Sequence, residues 1–126
     1  MGKVEGLGGV FLKAKDPKAL SDWYERILGV PFEGNSYVVL PFTGEDGTPS
    51  AAYNILSFSP MDSDYFKPST SPAMLNLRVS GLKELLADLT SKGVTLVGDM
   101  VEGEYGSFGW ILDPEGNKVE LWEPPA

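Results

Sequence analysis

This 126-residue chain contains no histidine and no cysteine, so any acid–base work falls to its carboxylates, lysines and tyrosines. Without imidazole, His-dependent triads and the usual zinc sites are excluded; without thiols, so are disulfides, thiolate nucleophiles and cysteine-held metals. The absence of cysteine also fits a reducing compartment. Aromatic and acidic side chains crowd the C-terminal stretch. Tyr105, Phe108 and Trp110 lie in EYGSFGW, and Glu120 and Trp122 lie in KVELW. A flat ligand can stack on such rings, although aromatic residues on strands also serve packing. Glu102, Glu104, Glu115 and Glu123 surround them and read as a solvated acidic rim.

The whole-chain charge narrows the partners. With 18 acidic against 10 basic side chains the formal charge is −8, and the Lys and Arg residues are scattered rather than gathered into a patch. A phosphate backbone is repelled by such a field, so no nucleic-acid partner is expected. The first sixteen residues, MGKVEGLGGVFLKAKD, lack the apolar centre of a signal peptide. No stretch approaches the roughly 18 apolar residues of a membrane span. The expectation is a soluble, cytoplasmic protein without a membrane partner.

The elements that position these residues can be read from periodicity. Residues 9–15 alternate as a strand, with Val10, Leu12 and Ala14 on one face and Phe11, Lys13 and Lys15 on the other. Asp16 is placed to cap a helix whose first residue is Pro17. Leu20, Trp23, Tyr24, Ile27 and Leu28 recur at helical spacing, and Gly29 stops the run. Strands follow at 37–42 and 52–58, separated by a turn at 44–50. Residues 59–72 hold three prolines and four serines and read as a connector, in which the adjacent Tyr65 and Phe66 can pack as a lid or clasp.

The order then repeats. A strand at 74–79 precedes a helix at 82–92 carrying Leu82, Leu85, Leu86 and Leu89, closed by Gly93. Short strands are expected at 95–97, 106–112 and 118–122, with a turn at 113–117. Setting Gly9 on Met74 aligns Leu12 with Leu77, Leu20 with Leu85 and Tyr24 with Leu89 at one constant offset. A repeated supersecondary unit constrains a fold more than any single element. The reading is one domain over 1–126, built from a βαβββ module at 7–58, a connector at 59–72 and a second βαβββ module at 73–123.

Three stretches, KDPKALSDWYERILGV (15–30), RVSGLKELLADLTSKGV (78–94) and FGWILDPEGNKVELWEP (108–124), resemble the vicinal oxygen chelate superfamily of glyoxalase I, extradiol dioxygenases and the fosfomycin- and bleomycin-resistance proteins. The resemblance implies an α+β fold in which two tandem βαβββ modules form a curved mixed-sheet cup. It also implies a divalent metal held from the first strand of each module and from a glutamate on the last strand. Carried over, those positions fall on Gly9, Met74 and Glu120, with a fourth near Tyr53, Asn54 or Ile55. Glycine offers no ligand and a thioether suits a hard cation poorly, so the metal site reads as lost and no cofactor is expected.

Alternation assigns Val10, Leu12, Ala14, Leu75, Leu77, Val79, Val119 and Leu121 to the helix side of the cup, and Gly9, Phe11, Lys13, Met74, Asn76, Arg78, Glu120 and Trp122 to its cleft. The candidate ligand-binding residues are Phe11, Met74, Asn76, Arg78, Tyr105, Trp110, Glu120 and Trp122. Glu120 has three readings: a surviving metal ligand, a general base, or a structural group paired with Arg78 or Lys13. Arg78 reads as a forked site for a ligand carboxylate or phosphate, or as a solvated or Glu-paired side chain. Trp23 and Tyr24 read as core or dimer contacts.

Three functions remain open. One is a metal-free binder, similar to the bleomycin-resistance branch, that takes a cationic or planar small molecule in an acidic, aromatic-lined cleft. The second is a lyase, isomerase or dioxygenase with Glu120 as catalytic base or metal ligand. The third is an accessory module with no ligand of its own. The resemblance also implies a homodimer with two shared clefts.

Overall fold

The computed structural model describes residues 2–43 and 49–125. Most of the turn expected at 44–50 lies outside them. Strand β1 (Lys3–Ala14) leads into helix α1 (Pro17–Leu28) and strands β2 (Tyr37–Thr43) and β3 (Pro49–Pro60). A one-turn 3-10 helix (Asp64–Phe66) interrupts the connector. Strand β4 (Ala73–Ser80), helix α2 (Leu82–Ser91) and strands β5 (Val101–Gly103), β6 (Gly106–Leu112) and β7 (Lys118–Glu123) complete the chain.

All seven strands join one curled mixed sheet in the order β2-β3-β1-β4-β7-β6-β5. The expected α+β cup is what the chain forms. The modules meet within a single chain through the antiparallel β1–β4 pair, while β1–β3 and β4–β7 are parallel. The halves are unequal. Among the described residues three strands follow α2 but two, β2 and β3, follow α1, and 29–36 turns through Gly29, Glu33 and Gly34 at positive φ instead of joining the sheet. The short strand expected at 95–97 is a single bridge, Leu96 to Ile111, and β5 follows it.

Helix α1 starts as its sequence predicts: the Asp16 carboxylate accepts the Ala19 N–H at 3.0 Å and Pro17 occupies the first turn. Gly29, at φ 72°, closes it by donating to Glu25 O. Helix α2 has no side-chain cap of its own, since Gly81 stands at that position. The cap comes from β7 instead. Glu123 accepts the Gly81 and Leu82 N–H groups at 2.9 and 3.0 Å, placing a negative charge at the helix's positive end. Glu123 is therefore a structural group, not part of a solvated rim. Glu123→Ala is expected to lower stability by about 1–2 kcal/mol, as loss of an N-cap does; urea unfolding measures this directly.

Two apolar cores lie on the helix side. Ala14, Phe32, Val38 and Phe58 are buried beside α1, and Val79, Leu82, Leu85, Leu86, Val119 and Leu121 beside α2. The predicted alternation holds for β7 and most of β4, with one correction. Alternation puts Leu75 beneath the helices, but it is 48% exposed. Helix α1 packs on β1 and β3, and α2 on β6 and β7, so neither covers Leu75 near the seam between modules.

Strand β1 carries two bulges, one between Val4 and Gly6 and one between Leu7 and Gly9. The second shapes the cleft floor. A Cβ on Gly8 would overlap the Asn76 amide oxygen, and one on Gly9, at φ 155°, would run into the main chain of Ile55.

Candidate functional site

The cup encloses a cavity of about 510 Å³ on the face opposite the helices. Its floor is Glu120 and Trp122 of β7. Phe11 of β1 and Tyr53, Ile55 and Ser57 of β3 form one wall, extended by Tyr37 and Val39 of β2. Phe108 of β6 stands opposite, Tyr105 reaches in from the β5–β6 turn, and Tyr65 closes the connector side. Period-two alternation delivers this lining, since the strands that send leucine and valine toward the helices must send their other residues here. A larger groove of about 610 Å³ beside α1, lined by Ala14, Leu20 and Trp23 among others, is a shallow surface feature, and the Asp16 carboxylate at its edge is already engaged as the helix cap.

Glu120 is 1% exposed, and its carboxylate meets three uncharged donors. Asn76 donates through Nδ2 to Oε1 at 2.6 Å, and Trp110 donates through Nε1 to Oε2 at 2.9 Å. The Tyr65 hydroxyl also donates to Oε2. The pairing with Arg78 or Lys13, one of the three readings of Glu120, is not formed. The Arg78 guanidinium lies over the Trp122 ring at 5.7 Å, and Lys13 lies over Phe66 at 5.2 Å. Among the described residues, every ion pair is an exposed contact three or four residues apart on one local segment, and none reaches Glu120.

Lys118, two residues before Glu120 on the same face of β7, is the nearby cation, but it forms no ion pair with that carboxylate. Its ammonium donates to the Tyr65 main-chain oxygen at 2.6 Å and sits over the Tyr65 and Trp110 rings at 5.1 and 5.7 Å. Burial lowers its pKa, with the Glu120 charge acting in the opposite direction. The site thus holds one buried acid with its partners neutral.

The Tyr65 phenol is pushed well above its ordinary value of 10.0, first by burial and then by the charge and hydrogen bond of Glu120. Below that value Tyr65 is neutral whether the chain is folded or unfolded. Above it the unfolded chain ionises first, so this contribution to stability is lost as pH rises beyond 10.0. Stability measured by denaturation across the alkaline range is expected to fall more steeply for the wild type than for Tyr65→Phe.

Four of the expected ligand-facing residues lie on the cavity wall: Phe11, Tyr105, Glu120 and Trp122. Four do not. Met74 is buried beside Phe11 in the β1–β4 ladder, and Trp110 is turned toward Glu120 rather than the cavity. Asn76 lies beneath the floor as a prop for Glu120, its Oδ1 pressed toward Gly8 without a hydrogen bond. Arg78 is covered by its stacking on Trp122, and its Nη1 has no acceptor. Tyr37, Val39, Tyr53, Ile55 and Ser57 were not singled out as a wall, because their place depends on how β2 and β3 pair with β1. The connector's aromatic pair did carry a signal: Tyr65 closes the cavity and the fully buried Phe66 anchors it.

The glyoxalase-like domain family matches residues 9–122. The chain belongs to that family. No curated protein matches it. Among solved structures, methylmalonyl-CoA epimerase from Mycobacterium tuberculosis is 24% identical, with 98% of this chain and 90% of that one covered and a TM-score of 0.62. The Streptomyces coelicolor epimerase, solved with 2-nitronate-propionyl-CoA, is 18% identical over 98% of this chain and 100% of its own, at 0.66. A glyoxalase/bleomycin resistance protein/dioxygenase superfamily member from Vibrio splendidus 12B01 is 12% identical over 96% and 99%, at 0.60. These similarities show a shared fold.

The residues present in this glyoxalase-like chain do not fit the divalent metal that the superfamily resemblance implies. Gly9 has no donor, the Met74 thioether is buried, and both Glu120 oxygens already face N–H or O–H groups. Asn54, the remaining oxygen source, donates through Nδ2 to the main-chain oxygens of Leu7 and Tyr53 and is not on the cavity wall. Among the described residues, no three acidic side chains converge as a metal-binding group. Such a set falls short of the three or more ligands that zinc or magnesium requires.

Proposed function

We propose that this glyoxalase-like protein binds a flat, largely apolar small molecule bearing a cationic or hydrogen-bond-donating group, and does so without a metal. The observation that carries the reading is Glu120, a buried carboxylate with three neutral partners at the floor of an aromatic cavity. Aromatic faces attract organic cations, and a desolvated carboxylate beside them adds charge complementarity. The CoA esters named for the structural neighbours suit this wall poorly. Lys13, Arg78 and Lys118 all turn to rings or main chain, leaving no cation on the described cavity wall for their phosphates.

A second reading, proton transfer with Glu120 as base, keeps one supporting feature: Oε1 accepts only from Asn76 and retains a free lone pair. Against it, the other oxygen already accepts from both Tyr65 and Trp110. The proposed setting is the cytoplasm and the proposed assembly a homodimer. Exposed Val4, Leu7 and Leu75 on the central strands and Trp23, Ile27 and Leu28 on α1 support the latter. Sedimentation equilibrium at twice the chain mass would bear it out, and a monomer would remove it. Because both modules of one chain build the cleft, such a dimer has two self-contained clefts.

The binding reading is tested by calorimetric titration of chelator-treated protein with benzylammonium. Saturable binding at one site per chain is expected. A stoichiometric divalent metal in the purified protein, with binding lost on its removal, would overturn the metal-free reading.

A further inference from the structure

We propose that the Tyr65 hydroxyl is a displaceable occupant of Glu120 and thereby the residue that selects ligands for this cleft: a ligand enters fully only if it brings its own donor to the oxygen that Tyr65 gives up. The inference rests on the binding reading above and adds to it which chemistry is admitted.

The geometry separates Tyr65 from the other two partners of the carboxylate. Asn76 is fully buried on β4, and Trp110 is half-buried on β6 with its indole packed between Phe108 and Tyr65, so both have less room to turn than Tyr65. Tyr65 belongs to the connector. It lines the cavity and is 41% exposed, while its main chain is pinned on both sides. Phe66 is 0% exposed, Ser69 is buried, Ser63 accepts the Tyr65 N–H, and Lys118 donates to the Tyr65 oxygen. The side chain can therefore turn about its own bonds with the connector in place. Its ring rests at 6.0 Å from Phe11 and 6.2 Å from Trp110, with the Lys118 ammonium over it at 5.1 Å, contacts that another flat ring can replace.

The exchange discriminates among ligands. A ligand without a donor would leave a buried carboxylate oxygen short of a partner, which is costly. A neutral hydroxyl restores what Tyr65 supplied. An ammonium restores it and adds the attraction of opposite charges in a desolvated site. A quaternary ammonium carries the charge but no N–H and cannot take the hydroxyl's place. The ligand class is thus a protonated primary or secondary amine on a planar apolar body.

Four probes separate charge from donor: benzylammonium with both, benzyltrimethylammonium with charge alone, benzyl alcohol with a donor alone, and ethylbenzene with neither. In the wild type, benzylammonium is expected to bind about tenfold more tightly than benzyltrimethylammonium. In Tyr65→Phe, where no hydroxyl must be displaced, its affinity is expected to rise by about a further tenfold, while that of ethylbenzene changes less than about twofold. In unsubstituted protein carrying labelled tyrosine, benzylammonium should shift the Tyr65 ring resonances and ethylbenzene should not, a readout independent of how the variant folds. Benzylammonium that binds with an affinity unchanged or weakened in Tyr65→Phe would overturn the role of Tyr65 and leave the cleft reading standing. No binding of any probe to either protein would overturn both.

Discussion

Replacing Glu120 by alanine is expected to cost about 3–5 kcal/mol of stability and to abolish binding of cationic aromatic ligands. The side chain is the shared acceptor for the Asn76 amide, the Trp110 indole and the Tyr65 hydroxyl. Each buried donor left without a partner costs about 1–3 kcal/mol. Tyr65 can turn to water at the cavity mouth, but fully buried Asn76 cannot, so the total falls short of three full penalties. Glu120→Gln separates shape from charge. One of its two terminal groups becomes an N–H donor facing another donor, which should cost about 1–3 kcal/mol, while the preference for benzylammonium over benzyl alcohol disappears. Urea unfolding and calorimetric titration of the two variants check both halves.

The second large effect is expected at Trp122. It is 1% exposed, with its ring 5.0 Å from Tyr53 on one side and the Arg78 guanidinium 5.7 Å away. Its indole N–H donates to the Tyr105 oxygen at 2.8 Å, tying the β5–β6 turn to the floor of the cleft. Trp122→Ala therefore removes part of the floor, a cation's resting surface and the tether of a wall at once. A loss of about 3–5 kcal/mol follows from truncating a buried tryptophan. Affinity for planar ligands should fall more than about tenfold, since one stacking contact is worth about 0.5–1.5 kcal/mol and the floor is lost with it. Trp122→Phe keeps the floor and drops only the tether, so it should retain most binding. Thermal unfolding and titration of the pair test this ordering.

Much of this arrangement was legible in the sequence because it depends on local rules. The Asp16-Pro17 start and Gly29 stop of α1 are capping chemistry, readable from a few residues. The facing of β7 follows from Val119 and Leu121 alternating with Glu120 and Trp122. What stayed hidden is set by distant partners. That Glu123 caps α2 depends on β7 ending beside Gly81, 42 residues away in sequence. That Tyr65 meets Glu120 depends on how the connector crosses the cup, a separation of 55 residues. Alternation alone could not place Asn76 ahead of Met74 against Glu120, because both share a face and only the β4–β7 register sets Asn76 opposite it. The bulge at Gly8 shifts β1 against β4 by one residue, which a strict period of two does not encode.

The three tryptophans supply the most direct measurement, because each indole N–H reports from a different place. Trp110 donates to Glu120, Trp122 donates to Tyr105, and Trp23 lies 43% exposed on α1, away from the cleft. With chelator present, titration with benzylammonium followed by the indole N–H resonances should move the Trp110 and Trp122 signals together and leave Trp23 in place. Signals at Trp110 and Trp122 that stay still, or that move only once a divalent metal is added, would contradict a metal-free aromatic cleft anchored on Glu120.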